Sequence, residues 1–363
     1  MFQLAARLAA RSRLAAARGP GARRGRAASR RLGAGALAAL GLLAAAGSAR
    51  AQQKSEIGIT RQPGIIYLPT HVIEKQGLIE KHAARLGVPG VRTKWITFSG
   101  GGNQTDALLA GNVDIVNTGV GNLLLLWDRT RGGVKGIVAT SALPLILVSR
   151  DPKIRSLKDI GPGDKIAVPT VKVSTQAILL QMAAAQLYGP DQSGRLDANT
   201  VQLGHPDAAI ALLNPTHEIK THFAAPPFQY VELKSVPGAH VVAQSPDIIG
   251  GPLTQGQFFT TTKFAEANPR IVEAVRAASQ EAQDFIRRDT RAAVEIYREV
   301  TGDKAGVEDL LGWLGEPGMM EFNLQPQGTM KFAEHLGRIG TLRTRPKAWT
   351  DYYLPVAHDL GGS

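Results

Sequence analysis

Short strand-like segments alternate with glycine-containing loops and helix-like segments along most of this chain of 363 residues. The first three strand and helix pairs are 56–60 with 65–76, 91–98 with 104–110, and 113–116 with 123–129. A further strand is predicted at 134–139. A strand that is followed directly by a helix usually reaches a parallel neighbour through that helix. The alternation therefore predicts an α/β fold with a largely parallel sheet and helices on both faces.

The alternation begins again after Ala142, which predicts a second α/β unit. Its predicted strands are 145–148, 165–168, 200–203 and 218–223, and its predicted helices are 174–188 and 207–213. A glycine- and proline-rich stretch at 235–256 closes this unit. The strand at 258–262 is interpreted as the return of the chain to the first unit.

The formal net charge of +12 is concentrated at the N-terminus. Residues 1–51 contain ten arginines, no lysine and no acidic residue, so the rest of the chain holds 32 basic and 30 acidic residues. A body with a net charge of about +2 lacks the basic surface that binds a phosphate backbone. The sequence therefore predicts no nucleic-acid partner.

The basic N-terminus has the three parts of a secretory signal peptide. An arginine- and alanine-rich region precedes an apolar run at 32–47, and Ala49-Arg50-Ala51 follows as a small-x-small end. Ser29-Arg30-Arg31-Leu32 is loosely twin-arginine-like, so export by the Sec or the Tat route is open. The alternatives are a mitochondrial transit peptide and a retained anchor, but the apolar block is too continuous for the first and too short for the second. We expect cleavage after Ala51, or a start downstream of Met1, and a soluble periplasmic protein.

Several kinds of chemistry are absent from the sequence. The chain has no cysteine, which removes thiol nucleophiles, disulfides and cysteine-based metal sites. It has neither a G-x-S-x-G nucleophile elbow nor a G-x-x-x-x-G-K-[ST] phosphate loop. His217, Glu218 and His222 form an H-E-x-x-x-H string whose histidines diverge on either a helix or a strand. We therefore expect no metal, no cofactor and no enzymatic activity.

Four polar, mostly glycine-containing loops follow predicted strands and precede helices: 62–67, 99–103, 118–122 and 170–176. Ligands of open α/β sheets bind at the carboxyl ends of the strands, where helix N-termini favour anions. Any one of these loops is equally consistent with a simple tight turn. Four of the same kind in two units indicate a shared ligand cleft.

In the order and spacing of several segments, the chain resembles the substrate-binding proteins of nitrate/sulfonate/taurine-type ABC importers. The resemblance covers residues 56–300. The segments that carry it are Ile73-Glu74-Lys75-Gln76-Gly77-Leu78-Ile79, Ser99-Gly100-Gly101, Ala107-Leu108-Leu109-Ala110-Gly111-Asn112-Val113-Asp114, Ser156-Leu157-Lys158-Asp159-Ile160, Asp164-Lys165-Ile166-Ala167-Val168 and Phe264-Ala265-Glu266-Ala267-Asn268-Pro269.

The resemblance implies the type II periplasmic binding protein fold, in which two α/β lobes close on a ligand by hinge motion. Lobe 1 would comprise 54–143 plus 257–363, lobe 2 would comprise 144–256, and the crossing strands would be 144–149 and 257–262. The implied function is capture of a small anionic solute, sulfonate-, taurine- or nitrate-like or an aromatic carboxylate. The implied partners are an ABC permease and its ATPase, contacted transiently at the membrane.

The resemblance also implies which residues bind the solute: Gln62, Tyr67, Ser99, Gly100, Gly101, Thr118, Gly119, Val120, Val173, Ser174, Thr175, Gln176, His205 and Phe228. Ser174 and Thr175 would hold anion oxygens, and Tyr67 and Phe228 would sandwich an apolar body. Lys172 and His205 are candidates for supplying charge. A solvated lysine and a histidine that merely stands at a helix start are the alternatives.

The sequence departs from the family at 211–219, where Ala-Leu-Leu-Asn-Pro-Thr-His-Glu-Ile replaces the usual second Ala-Leu-x-x-Gly-x-Ile-Asp segment. That segment shapes the pocket in lobe 2, so the identity of the solute does not follow. The alternative functions are a pyrimidine-precursor binding protein or enzyme of the thiamine-pyrimidine branch, and an extracytoplasmic sensor. The enzymes of that branch use a cysteine-rich segment, which this chain lacks.

Overall fold

The computed structural model describes residues 54–363, so the predicted signal peptide at 1–51 lies outside the described residues. Within this range the strands form two five-stranded sheets. The strands are β1 (Glu56–Arg61), β2 (Arg92–Thr97), β3 (Ile115–Thr118), β4 (Val134–Ser141), β5 (Ile146–Ser149), β6 (Ile166–Val168), β7 (Thr200–Gln202), β8 (Thr221–Ala224), β9 (His240–Gln244) and β10 (Gly256–Thr261).

Helices follow most strands and cover the sheets. They are α1 (Leu68–Gln76), α2 (Leu78–Arg85), α3 (Gly101–Leu109), α4 (Val120–Arg129), α5 (Thr175–Tyr188), α6 (His205–Leu213), α7 (Phe228–Ser235), α8 (Ser245–Ile249), α9 (Thr262–Ala267), α10 (Pro269–Arg288), α11 (Thr290–Thr301), α12 (Val307–Leu314) and α13 (Thr329–Arg338). No helix in the range 54–363 is long and apolar enough to cross a membrane.

The two sheets are built on one plan. The first has the strand order β2-β1-β3-β10-β4 and the second has the order β7-β6-β8-β5-β9. In the first sheet β1 is parallel to β2 and β3, and β10 is antiparallel to β3 and β4. In the second sheet β6 is parallel to β7 and β8, and β5 is antiparallel to β8 and β9. The predicted two-unit α/β fold is confirmed, with mixed rather than largely parallel sheets.

A single apolar core connects the two sheets. It contains Ile59 of β1, Val116 of β3, Leu147 of β5 and Ile166 of β6, and a smaller cluster under the second sheet includes Leu212. Strands β3 and β6 are buried along their whole length, as expected for central strands covered on both faces. The first sheet with the helices packed on it forms the first lobe, and the second sheet with its helices forms the second lobe. The lobe bounds given above stay a prediction.

The structure differs from the sequence prediction at several elements of the second lobe. Strand β9 and helix α8 lie inside the stretch 235–256, which the sequence indicated only as a connection. The residues of β9 are half-buried or exposed, so they lack the apolar alternation that marks a strand. Strand β8 begins at Thr221 rather than 218, and Glu218, which precedes the ladder, pairs with Lys165 at the surface.

In the first lobe, helices α3 and α4 each begin three residues earlier than predicted, at Gly101 and Val120. Their N-cap residues, Gly100 and Gly119, are extended, and the helical dihedral angles start at the next residue. Two of the four predicted loops are therefore largely the first turns of helices. Backbone N–H groups of a first turn have no partner within the helix, so these turns are suited to bind a ligand.

The C-terminal segment bonds to both passages of the chain between the sheets. Ala142 donates its backbone N–H to the carbonyl of Glu321 at 2.8 Å, beside the passage from β4 to β5. Thr254 donates its N–H to the carbonyl of Gln327 at 2.9 Å, beside the passage that returns to β10. The tail thus holds both connections between the two sheets by backbone hydrogen bonds.

Candidate functional site

A small cavity lies where helix N-termini from the two sheets meet. The centres of water molecules can reach about 30 Å³ of it, roughly the room for one or two waters. Its walls are formed by Gln62, Ile66, Tyr67, Gly101, Thr118, Gly119, Asn122, Leu145, Pro169, Ser174, Thr175, Gln176, His205, Ala225 and Gln255. The cavity therefore occupies the position, at the carboxyl ends of the parallel strands, where α/β sheets bind ligands.

Nine of the fourteen predicted site residues line this cavity: Gln62, Tyr67, Gly101, Thr118, Gly119, Ser174, Thr175, Gln176 and His205. They come from three loops of the first sheet and two of the second. Residues separated by more than a hundred positions are thus brought to one place, as the loop pattern predicted. Their role in binding stays a proposal.

The other five predicted residues lie outside the lining. Ser99 and Gly100 border a neighbouring groove, which also contains Pro169 and Gly204. Val120 is fully buried in the core.

Val173 and Phe228 lie behind the cavity wall. The carbonyl of Val173 packs against Gly121 of α4. The ring of Phe228 stacks on His205 with centroids 5.7 Å apart. The expected sandwich of an apolar body between Tyr67 and Phe228 stays a prediction.

Six lining residues were not in the predicted set: Ile66, Asn122, Leu145, Pro169, Ala225 and Gln255. Asn122 belongs to a loop that the sequence did single out, so its polar side chain at a helix start was an available signal. Gln255 comes from the irregular return passage, where no local pattern distinguishes one glutamine from another. Only the packing of the two lobes brings it to the cavity.

Three polar side chains at the cavity have atoms without a hydrogen-bond partner among the described residues. They are Nδ2 of Asn122, Oγ1 of Thr175 and Nε2 of Gln255. All three side chains are at least 95% buried. An unpaired buried donor costs about 1–3 kcal/mol, and a ligand or an ordered water in the cavity would supply the missing partner.

Tyr67 contributes a further donor. Gln62 donates from Nε2 to the Tyr67 hydroxyl oxygen at 2.8 Å and to the carbonyl of Asn117 at 3.2 Å. Burial raises the pKa of Tyr67 above its usual value, so the phenol keeps its proton. Since the hydroxyl oxygen already accepts from Gln62, its own O–H is available to donate.

Three helix N-termini converge on these donors. Gly101 begins α3, Gly119 is the N-cap of α4, and Ser174 is the N-cap of α5. None of these helices has an acidic residue in its first turn. Their partial positive charges are therefore not neutralised locally and favour an anion. The Ser174 hydroxyl caps its own helix by accepting from the N–H of Ala177 at 3.3 Å, so Thr175 is the freer hydroxyl of the pair.

The residues proposed to supply charge do not supply it. Burial lowers the pKa of His205 well below its usual value, with the neighbouring His222 as a second cause, so His205 is neutral at ordinary pH. Lys172 is exposed and outside the cavity lining. The lining of the cavity thus contains neutral donors and no ionised side chain.

The fold resembles that of known proteins. The chain has the fold of periplasmic binding proteins. The structure of the alkanesulfonate-binding protein from Xanthomonas axonopodis pv. citri, bound to MOPS, matches with a TM-score of 0.64 at 18% identity, covering 82% of this chain and 98% of that chain. The periplasmic nitrate-binding protein of Synechocystis PCC 6803 matches with a TM-score of 0.63 at 13% identity, covering 85% and 86%. These neighbours confirm the predicted resemblance.

Comparison of sequences is less specific. A candidate binding protein of Brucella abortus (strain 2308) is 26% identical over 245 residues, which are 66% of this chain and 69% of that protein. No family profile matches the chain. The structural neighbours are thus binding proteins of transporters, and at these identities they establish the fold alone.

Proposed function

We propose that this protein is the solute-binding component of an ABC importer and that it captures a small oxyanion between its two lobes. The observation that carries the proposal is the cavity lined by unpartnered neutral donors and helix N-termini. An oxyanion has several acceptor oxygens and no donor, which is the complement of Asn122, Thr175, Gln255 and the Tyr67 hydroxyl. Nitrate, a sulfonate group and a carboxylate all fit this description.

Neutral donors suit a protein that must release its cargo. Hydrogen bonds to an anion are worth about 1.5–3 kcal/mol each, and helix dipoles add to them without a salt bridge. A fully desolvated lysine or arginine would hold an anion by a charge pair that is costly to break. We infer that the site is tuned for capture and transfer, with no chemical step.

The size of the cavity favours a small head group. About 30 Å³ accommodates one or two waters, so a larger sulfonate or an aromatic carboxylate would need the lobes to stand further apart. Two lobes that differ in spacing between free and bound states would also allow a permease to recognise the loaded form. We propose the permease and its ATPase as partners, after export of the protein to the periplasm by the leader at 1–51.

A thermal-shift screen of the purified protein tests this function. The panel contains nitrate, methanesulfonate, taurine, larger alkyl and aryl sulfonates, aromatic carboxylates and uncharged pyrimidines. A ligand at about 100 times its Kd adds roughly 2.7 kcal/mol of stability, which shifts Tm by several degrees. We expect anions to raise Tm, the smallest most strongly, with no turnover on incubation. A response to uncharged pyrimidines alone would contradict the proposal and favour the thiamine-pyrimidine branch.

A further inference from the structure

Behind the cavity, a row of buried side chains runs from Gln176 into the second lobe. Nε2 of Gln176 lies 3.2 Å from Nε2 of His205, and Nδ1 of His205 lies 2.8 Å from Nε2 of His222. Nδ1 of His222 then lies 2.5 Å from Oε1 of Glu232. His222 and Glu232 are completely buried, and His205 is 8% exposed. The row therefore connects a carboxyl group in the core to the wall of the cavity.

A neutral imidazole has one donor nitrogen and one acceptor nitrogen, so the hydrogen bonds of this row can run in only two directions. In one direction each histidine carries its proton on Nδ1, and His222 donates to an ionised Glu232. In the other direction Glu232 is a protonated acid that donates to Nδ1 of His222. Each histidine then carries its proton on Nε2, and that of His205 is directed at Gln176 and the cavity. The Gln176 amide accommodates either direction by a half turn, which exchanges Nε2 and Oε1.

The surroundings favour the second direction. Oε2 of Glu232 has no hydrogen-bond partner among the described residues, which is costly for a buried carboxylate and tolerable for the carbonyl oxygen of an acid. The other titratable groups on the packed elements are Asp207 on α6, Lys234 and Tyr230 on α7, and Tyr188 at the far end of α5. Asp207 and Lys234 are exposed, and Tyr230 stacks on Trp313. None of them pairs with Glu232.

The acid–base properties agree with this geometry. Burial raises the pKa of Glu232 well above its usual value, and burial lowers the pKa of His222 to about 3. Both effects disfavour a carboxylate paired with an imidazolium, since each ion would be desolvated. A neutral row of acid and two neutral imidazoles is thus the form that the core can hold.

We propose that Glu232 is protonated and, through His222, holds His205 as an N–H donor to Gln176 at the wall of the ligand cavity. Glu232, His222 and His205 are positioning residues, and Gln176 is the group whose side-chain N–H₂ faces the solute. The proton balance is simple: solvent supplies one proton to Glu232, each imidazole keeps one, and the row has no net charge. An anion in the cavity then meets the N–H₂ group of Gln176, whereas the opposite direction would leave the Gln176 carbonyl oxygen for the anion and a negative charge buried in the core. This inference rests on the proposed function only in taking the ligand of the cavity to be an anion.

The test is to read the histidine tautomers by ¹⁵N NMR of the purified protein without added anion, with resonances assigned from the variants H205Q and H222Q. We expect both His205 and His222 to be Nε2–H tautomers near neutral pH. Nδ1–H tautomers at either histidine would overturn the inference. Because this result needs no ligand, it is independent of the proposed function. Nε2–H tautomers in a protein that binds no anion would count against the function alone.

A second readout uses the anion that gives the largest shift in the screen. The side-chain amide of glutamine donates as a protonated acid does, so Glu232→Gln should keep the affinity within about twofold. The matched control is Glu218→Gln, which removes a carboxylate at the surface of the same lobe. A loss of more than about tenfold, or 1.4 kcal/mol, in Glu232→Gln with Glu218→Gln unchanged would show that an ionised carboxylate is required and would overturn the inference.

Discussion

The two lobes have the same strand order, yet they contribute differently to the cavity. The first lobe presents glycines at the starts of α3 and α4 together with the amides of Gln62 and Asn122. The second lobe presents hydroxyls at the start of α5 and a neutral histidine held by a buried row of side chains. The common topology therefore places helix N-termini of the two lobes opposite each other. The residue types at these N-termini determine whether a lobe presents mainly backbone N–H groups or mainly side-chain groups to the cavity.

The glycines of the first lobe have a second consequence, which concerns how closely the lobes approach. A Cβ atom on Gly119 would collide with the Thr175 hydroxyl, and one on Gly121 would lie 2.5 Å from the Val173 carbonyl. Both obstacles belong to the second lobe. Glycine is thus required at these positions for contact between lobes, in addition to any contact with a ligand.

The largest expected effect concerns whether the two lobes are one folding unit. Ile59 lies in the core shared by both sheets, Leu212 lies in the smaller cluster under the second sheet, and both are fully buried. Replacing either by Ala should lower the free energy of unfolding by about 2–5 kcal/mol. Because one core connects the sheets, denaturant unfolding should stay a single transition for Ile59→Ala and for Leu212→Ala. Two separate transitions for Leu212→Ala would show that the second lobe unfolds by itself.

The next effect tests the donors of the second lobe. Thr175→Val removes a buried hydroxyl without a partner and keeps the shape of the side chain. Losing one hydrogen bond to an anion should weaken binding by about 1.5–3 kcal/mol, or roughly 10- to 150-fold, while Tm of the free protein does not fall. Ser279→Ala is the control, since Ser279 bonds only to its own helix at the Val275 carbonyl. Equal affinity of Thr175→Val and the unmodified protein in calorimetry would remove this hydroxyl from the site.

A somewhat smaller effect tests the glycines of the first lobe. Gly121→Val inserts a side chain against Val173 and Ile178 of the second lobe, and overpacking of this kind costs about 1–3 kcal/mol. We expect weaker anion binding because the closed arrangement is opposed. Gly312→Ala is the control, since Gly312 is exposed on α12 with open space around it. Normal affinity in Gly121→Val would mean that the lobes need not approach this closely to hold the solute.

The smallest effect, counted for each pH unit, is a dependence of the free energy of unfolding on pH. Burial lowers the pKa of His71 in the first lobe to about 3, and that of His222 in the second lobe is lowered to a similar value. The unfolded chain binds a proton at each histidine near pH 6.5, whereas the folded protein does so only near pH 3. Stability should therefore be full above pH 6.5 and fall by about 1.4 kcal/mol per unit and per histidine as the pH drops toward 3.

Chemical denaturation at several pH values measures this slope. His71→Phe keeps a ring beside Tyr297, whose ring centroid lies 5.5 Å from that of His71. This variant should reduce the slope of unfolding free energy against pH by the contribution of one histidine. An unchanged slope in His71→Phe would show that the pKa of His71 is the same in the folded and unfolded protein.

The sequence predicts the first lobe's part of the site better than the second lobe's. Glycine-led loops after strands are local patterns, so Gly101 and Gly119 could be found from neighbouring residues alone. The row formed by His205, His222 and Glu232 joins α6, β8 and α7, and no spacing between these three residues identifies it. Their contact follows from the packing of α6 and α7 against the sheet.

The same physical distinction explains the corrections. A basic residue type at a loop suggested positive charge, but burial makes His205 neutral, and burial is a property of the folded chain. Phe228 was expected to cover the ligand, whereas tertiary packing places its ring against His205. Residue types and their spacing in the sequence predict where the cavity lies. Burial in the folded protein then determines whether a side chain such as His205 is charged.

The most direct test of the central claim is a crystal structure with the anion that the thermal-shift screen identifies. The account predicts that the anion lies between the sheets with its oxygens within hydrogen-bond distance of Asn122 Nδ2, Thr175 Oγ1 and Gln255 Nε2. It also predicts that no lysine or arginine contacts the anion. An anion held by a basic side chain, or bound outside this cavity, would contradict the account.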